Sequence, residues 1–214
     1  MRKRLTRVSE RISMKNSTIQ EVGLMRKLML FLAVSVMAMT GCASKHMDVA
    51  VIQQNEGALA KNQAAIVFFR DTILGAAIQA PIIESLDKDI SFVGIVSANT
   101  KVLHKTTPGK HYYVVGGEGS NLLEADLAPQ KFYYVRVSPK MGFWKARFAF
   151  EPITADDEKL QKALSGCNWA TAGASAQTWF KNNKSNLQSK SDAAAGKESK
   201  AILRPENGFG MLIQ

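Results

Sequence analysis

Between Ala64 and Thr154 the chain breaks into short β-branched and aromatic runs, each closed by a turn signal. The runs are "AAIVFFRD", "AIQAPIIESL", "DISFVGIVS", "KVLHKT", "KHYYVVGGEG", "KFYYVRVSP" and "WKARFAFEPI". Between them stand "TPGK", "GGEGSN", "LAPQ" and "SPKMG". Short strands punctuated every ~8–12 residues are the pattern of a sandwich or barrel. We expect an antiparallel β-sandwich of about seven to eight short strands, with one or more helices after it. Pro81 cannot donate to a ladder, so its strand is expected at an edge or bulged there. In the last run Ala146, Phe148 and Phe150 alternate against Lys145, Arg147, Ala149 and Glu151, which predicts one face in and one face out.

From Thr154 the period changes. Thr154 and Asp157 have capping-box spacing, so a helix is expected to begin there. Trp169, Ala172, Ala176, Trp179, Phe180 and Leu187 then fall on one helical stripe. Gly166 breaks the helical segment in two. Lys181 and Lys184 beside Trp179 and Phe180 would suit an interfacial helix, but a small β domain must also cover an open apolar face, and docking there is the favoured expectation. The expected divisions are a leader at 1–41, a connector at 42–62, a β-sandwich at 63–154, a helical segment at 155–190 and a flexible tail at 191–214.

Three stretches resemble the transthyretin- or PEGA-like sandwiches found in many uncharacterised bacterial lipoproteins. They are "IVFFR" (Ile66 to Arg70), "TTPGKHYYVV" (Thr106 to Val115) and "LAPQKFYYVRVSP" (Leu127 to Pro139). The resemblance runs from Ala64 to Pro139. It implies a fold and a location, and brings no catalytic residues with it.

The N-terminal side carries a signal of its own for location. Arg26 and Lys27 precede an apolar run from Leu28 to Met39 whose only polar member is Ser35. A cationic start, a short apolar stretch and a small-residue cleavage site are the parts of a secretory signal. The run is short of the ~20 residues that a spanning helix needs. Met39, Thr40, Gly41 and Cys42 resemble the lipobox of bacterial lipoproteins. The resemblance implies cleavage after Gly41 and acylation of Cys42. In lipoproteins of this kind an Asp after the Cys commonly retains the protein at the inner membrane; with Ala43 there, the resemblance implies export to the outer membrane of a Gram-negative host. Residues 1–24 carry six Lys/Arg against two Glu and precede a second candidate start at Met25.

The formal net charge of +10 misleads about partners. Residues 1–42 hold eight Lys/Arg against two Asp/Glu, and residues 181–204 hold six against two. Residues 43–180 hold 14 against 13. Basicity is thus confined to the leader and the C-terminal region, and nucleic-acid binding is not expected. With Cys42 acylated, Cys167 has no partner in the chain and is read as a small buried hydrophobe.

No HExxH, CxxC or GxSxG motif is present. "GGEGSN" lacks the Lys-Ser or Lys-Thr of a phosphate loop and reads as a turn. His104 and His111 lie on successive strands joined by "KTTPGK" and would face each other across a hairpin, near Glu124 or Asp126. Tyr113 and Tyr133 belong to adjacent-tyrosine pairs, of which one member points outward; core packing beside one ordinary surface Tyr is the favoured expectation, and an exposed aromatic patch of Tyr113 and Tyr133 is the alternative. His104, His111, Tyr113 and Tyr133 are the candidate binding patch. Arg70, Asp71, Glu84, Asp87 and Asp89 read as solvated strand ends. No catalytic residue, cofactor or metal site is expected. The expected partners are the lipid bilayer through acylated Cys42 and an envelope protein or peptidoglycan. The functional expectation is a non-enzymatic envelope lipoprotein on the periplasmic side of the outer membrane. The alternative is an envelope hydrolase with a His/carboxylate site.

Overall fold

The computed structural model describes residues 46–50, 58–117, 121–140, 147–154, 157 and 160–213. Strand β1 (Asp48–Val49) precedes β2 (Ala64–Arg70), β3 (Ala80–Ser85), β4 (Ile90–Val96), β5 (Thr100–Thr106) and β6 (Gly109–Val115). Then come β7 (Asn121–Leu127), β8 (Phe132–Lys140), β9 (Arg147–Pro152), helix α1 (Leu160–Ser165) and β10 (Asn168–Thr171). Helix α2 (Ala174–Ala194), β11 (Ala201–Leu203) and a 3-10 turn at Pro205–Asn207 complete the order.

The strands form two sheets, β1-β10-β5-β2-β8-β9 and β11-β7-β6-β3-β4. The expected mainly β sandwich with a C-terminal helix is what the chain forms. The expectation of a purely antiparallel sandwich is corrected. The pairs β2–β8, β10–β5 and β7–β11 run parallel. Strand β2 explains the first of these. It is buried at every residue and lies inside its sheet, between β5 and β8. A strand covered on both faces reads as a continuous apolar run rather than an alternation, and that is where parallel pairing is tolerated.

Ala64, Ile66 and Phe68 of β2 point into the space between the sheets. There they join Tyr133, Val135 and Val137 of β8, Phe148 and Phe150 of β9, and Ile82, Tyr113, Val115 and Leu123 of the facing sheet. Phe68 meets the Tyr113 ring edge-on at 5.4 Å. Ala65, Val67 and Phe69 point the other way and pack under Leu160 and Leu164 of α1, beside Cys167. The Cys167 thiol is buried as expected, and burial pushes it up to about 11.

Helix α2 covers the outer face of the second sheet. Leu187 and Ala194 pack on Ile83, Ile90 and Val114. Phe180 stacks on Phe92 of β4 at 5.0 Å, a geometry worth ~0.5–1.5 kcal/mol beyond burial. The Trp179–Phe180 side therefore faces the sheet. Among the described residues no helix is long and apolar enough to cross a membrane.

Two local expectations are revised, and of the two alternatives for Pro81 the bulge is the one found. Pro81 is on an interior strand, since β3 lies between β4 and β6. The register with β4 shifts next to it, with Ile82 opposite Gly94 and Ile83 opposite Phe92. Trp169 is not on the helical stripe; it lies in β10, and the helix begins only at Ala174. The 191–214 tail is not a loose extension. Residues to Ala194 finish α2, β11 adds to β7, and the Phe209 N–H reaches the Phe132 carbonyl at 2.8 Å. Two buried phenols fasten it. The Tyr134 hydroxyl accepts the Ile213 N–H at 2.6 Å, and the Tyr133 hydroxyl donates to the Pro205 carbonyl at 3.4 Å.

Candidate binding site

Strand alternation decides which chemistry reaches solvent. Tyr113 lies opposite Glu84, and His111 opposite Ala125. These residues share the inner face of their sheet, so Tyr112, Glu124 and Asp126 share the outer face. Tyr113 and Tyr133 are both 0% exposed. Core packing, the favoured expectation, is what both show, and the alternative of an exposed patch does not hold for them: both project between the sheets, and their hydrophobic bodies are core. Tyr134 is buried on the opposite face of its sheet, leaving Tyr112, 41% exposed, as the accessible member of the four.

His104 and His111 do converge, but on Glu84 of β3 rather than on Glu124 or Asp126. The His111 Nδ1 lies 2.6 Å from Glu84 Oε1, and His104 Nε2 lies 3.7 Å from Glu84 Oε2. The other His111 nitrogen faces the Thr107 carbonyl at 2.9 Å. With acceptors at both nitrogens, the doubly protonated ring is the form that satisfies both. His104 and His111 hold the Glu84 carboxyl down at about 2, and the shorter His111 contact is the one with hydrogen-bond length. The Glu84 hydrogen bond raises His111 in turn. Tyr113 stands edge-on to His104 at 5.6 Å and stacks on His111 at 6.2 Å. Its phenol is raised by burial first and by the Glu84 charge second. The cluster sits where the β5–β6 turn carries the chain from one sheet to the other, with side chains only 11–16% exposed. It can bind the sheets together and respond to protons. Among the described residues no group of three or more His, Cys, Asp or Glu is arranged to hold a metal.

Of the remaining charged strand-end residues, Asp87 and Asp89 are exposed as expected, and Arg70 is not. Arg70 follows Phe68 on the inner face of β2 and is 0% exposed. Its guanidinium donates to the carbonyls of Leu74, Gly75 and Ile78, and it lies over the Phe148 ring at 5.5 Å. It thereby shapes the 71–79 loop from beneath. Gly75, at φ +66°, makes the turn that an L side chain resists. Asp71 pairs with Arg136 at 3.1 Å, and Asp89 with Lys184 at 2.8 Å. The buried arginine is missed by sequence reasoning, although its place one step beyond Ala64, Ile66 and Phe68 in the alternation was the available signal.

Tyr112 lies in a groove of about 720 Å³ on the outer face of the second sheet. The register runs Ile202, Glu124, Tyr112, Ser85 across β11, β7, β6 and β3. Leu86 and Ile202, 50% and 42% exposed, add apolar surface to Tyr112. The C-terminal end of α2 closes one side, where the Ser191 hydroxyl donates to that of Ser85 at 2.7 Å. The Ser199 hydroxyl accepts the Glu124 N–H at 3.2 Å and lies 2.9 Å from the Leu122 carbonyl, which holds the wall formed by the tail. Among the described residues this groove, with its exposed aromatic face and mixed walls, is the feature that best fits a ligand.

The candidate residues Gly41 and Cys42 lie outside the described residues. No family model, curated protein or solved structure matches this chain.

Proposed function

We propose that this chain is a lipid-anchored protein of a bacterial cell envelope, held by acylated Cys42 at the periplasmic face of the outer membrane. Its domain binds a partner rather than transforming a substrate. The observation that carries this reading is the order of Arg26-Lys27, the apolar run Leu28 to Met39, and Met39-Thr40-Gly41-Cys42. Several acyl chains on one cysteine make a stable anchor, because each buried methylene contributes ~0.8 kcal/mol. The Tyr112 groove supplies a surface for binding, and the chain carries none of the nucleophile or metal motifs sought in the sequence. The test is membrane fractionation of the full chain and of Cys42→Ala, with intact-mass analysis of the native protein. A truncated, acylated N-terminus and a soluble Cys42→Ala variant are expected. An uncleaved chain with a free thiol, or two chains that fractionate alike, overturns the anchor.

A second reading, an envelope hydrolase, draws on the convergence of His104 and His111 upon Glu84. Against it, both Glu84 oxygens face imidazoles and the second His111 nitrogen is engaged by Thr107. Hydrolysis of an ester or glycoside substrate panel that is lost in His111→Gln, with folding intact, would favour it.

A further inference from the structure

The walls of the Tyr112 groove differ in charge from the domain as a whole. Asp87, Glu124 and Glu198 line it against the single cation Lys197. None of the three carboxylates makes an ion pair among the described residues. The next cross-strand pair, Lys110 and Asp126, lies in register and cancels. Helix α2 adds to the imbalance. Its C-terminal end, the negative pole of the helix, lies at the groove, and its last turn carries no basic residue. Tyr112, Leu86 and Ile202 give the same groove exposed hydrocarbon and one aromatic face.

We propose that the groove binds a basic peptide segment with apolar flanks, a lysine or arginine head among Asp87, Glu124 and Glu198 and hydrocarbon against Tyr112, Leu86 and Ile202. Charge complementarity selects the cation, and a tyrosine face adds cation–π attraction. An anionic polymer is disfavoured by the same carboxylates. A neutral glycan would find one aromatic platform, but Leu86 and Ile202 offer it no hydrogen bonds. The connector residues 51–57, "VIQQNEG", carry Glu56 and no cation, so this part of the chain lacks the required charge. The proposal rests on the binding role given above but is independent of the anchor, because the groove is lined by β3, β6, β7, β11, the end of α2 and the loops that follow β3 and α2.

The test uses the full chain in an uncharged detergent and three probes: labelled acetyl-Lys-Leu-Lys-Leu-Lys-amide, its Glu-Leu-Glu-Leu-Glu counterpart, and an N-acetylglucosamine tetramer. Saturable binding of the basic peptide alone is expected, measured by fluorescence anisotropy, with the tetramer followed by competition. Glu124→Lys is expected to weaken it about tenfold at low salt, as loss of a complementary charge does. Tyr112→Ala is expected to weaken it at low and high salt alike, which separates the groove from general surface charge. Glu198→Lys, on the other wall, is the second charge variant should Glu124→Lys fold poorly. Equal binding by these variants, no saturable binding, or preference for the acidic peptide or the sugar overturns the proposal. Cys42→Ala keeps the groove, so peptide binding by that variant reports on the groove whatever its membrane fractionation shows.

Discussion

Replacing Glu84 with Gln removes the charge that holds two imidazoles together while keeping the side chain's shape and one acceptor. The wild-type carboxyl stands at about 2 against an ordinary 4.5. At ~1.4 kcal/mol per unit, the cluster favours the charged form by about 3 kcal/mol. Solvent screening is weak, since the side chain is 11% exposed. Gln retains part of the hydrogen bonding, so the expected loss of stability near pH 5.5 is about 2–3 kcal/mol. The folded value of Glu84 lies below its unfolded one. Its contribution is therefore complete above about 4.5 and drains away as the pH falls toward 2. His111 is shifted upward from 6.5, so its contribution is complete below about 6.5 and is lost as the pH rises through the folded value. These are two views of one interaction and do not add. The penalty of Glu84→Gln should peak between about pH 4.5 and 6.5 and shrink on both sides. Urea unfolding followed by tryptophan fluorescence at about pH 3, 5.5 and 8.5 measures it. A penalty that is constant across the three pH values refutes the reasoning, as does a Glu84→Gln/His111→Gln cycle without coupling at pH 5.5.

Arg70→Met should release the Leu74, Gly75 and Ile78 carbonyls from their shared donor, cost about 2 kcal/mol, and open the 71–79 loop to limited proteolysis well before global unfolding. An unchanged cleavage pattern would show that the loop holds itself. Gly208→Ala places a Cβ 2.8 Å from the Lys131 Cβ and 2.9 Å from the Tyr133 Cζ. It should cost about 1–3 kcal/mol and speed hydrogen exchange at the Phe209 and Ile213 amides, while exchange in β2 stays slow. The Cys167 thiol, buried and pushed up to about 11, should resist iodoacetamide at pH 8 and react only in denaturant; rapid labelling of the native protein would contradict its burial.

Between Ala64 and Pro152 the strands were legible where one face alone is buried, whereas the short β10 and β11 were not. In β9 the alternation of Phe148 and Phe150 against Arg147 predicts the observed faces. Tyr112-Tyr113 and Tyr133-Tyr134 show where that rule runs short. Alternation says that one of each pair points inward, but it does not give the phase, and β8 has no free face to supply one: Tyr133 enters the core and Tyr134 goes under the C-terminal segment. Glu84 was illegible as the partner of His104 and His111 for a different reason. The carboxylate comes from β3, placed beside β6 by a pairing that skips over β4 and β5 in sequence, whereas local spacing could propose only the acids of the adjoining strand.

The tail carries the argument furthest. Residues 191–200 are small and polar, the composition of a segment that cannot bury enough surface to order itself, whereas Leu203, Phe209, Leu212 and Ile213 bring apolar side chains to the core. The rest of the order comes from the sandwich. Tyr133, fixed between the sheets, and Tyr134, buried on the opposite face of β8, present phenolic oxygens to Pro205 and Ile213; β7 offers its free edge to β11; Phe209 closes on Phe132. Each contact uses a group already immobilised by the core, so the tail alone loses entropy when it docks. The same docking makes the groove. Ser199 and Ile202 form the wall beyond Glu124, and Lys197 and Glu198 set its charge. A segment expected to be flexible therefore forms one wall of a groove that joins a concave shape, an aromatic face and unpaired carboxylates. Loosening it through Gly208→Ala should weaken the basic peptide without touching any residue that lines the groove.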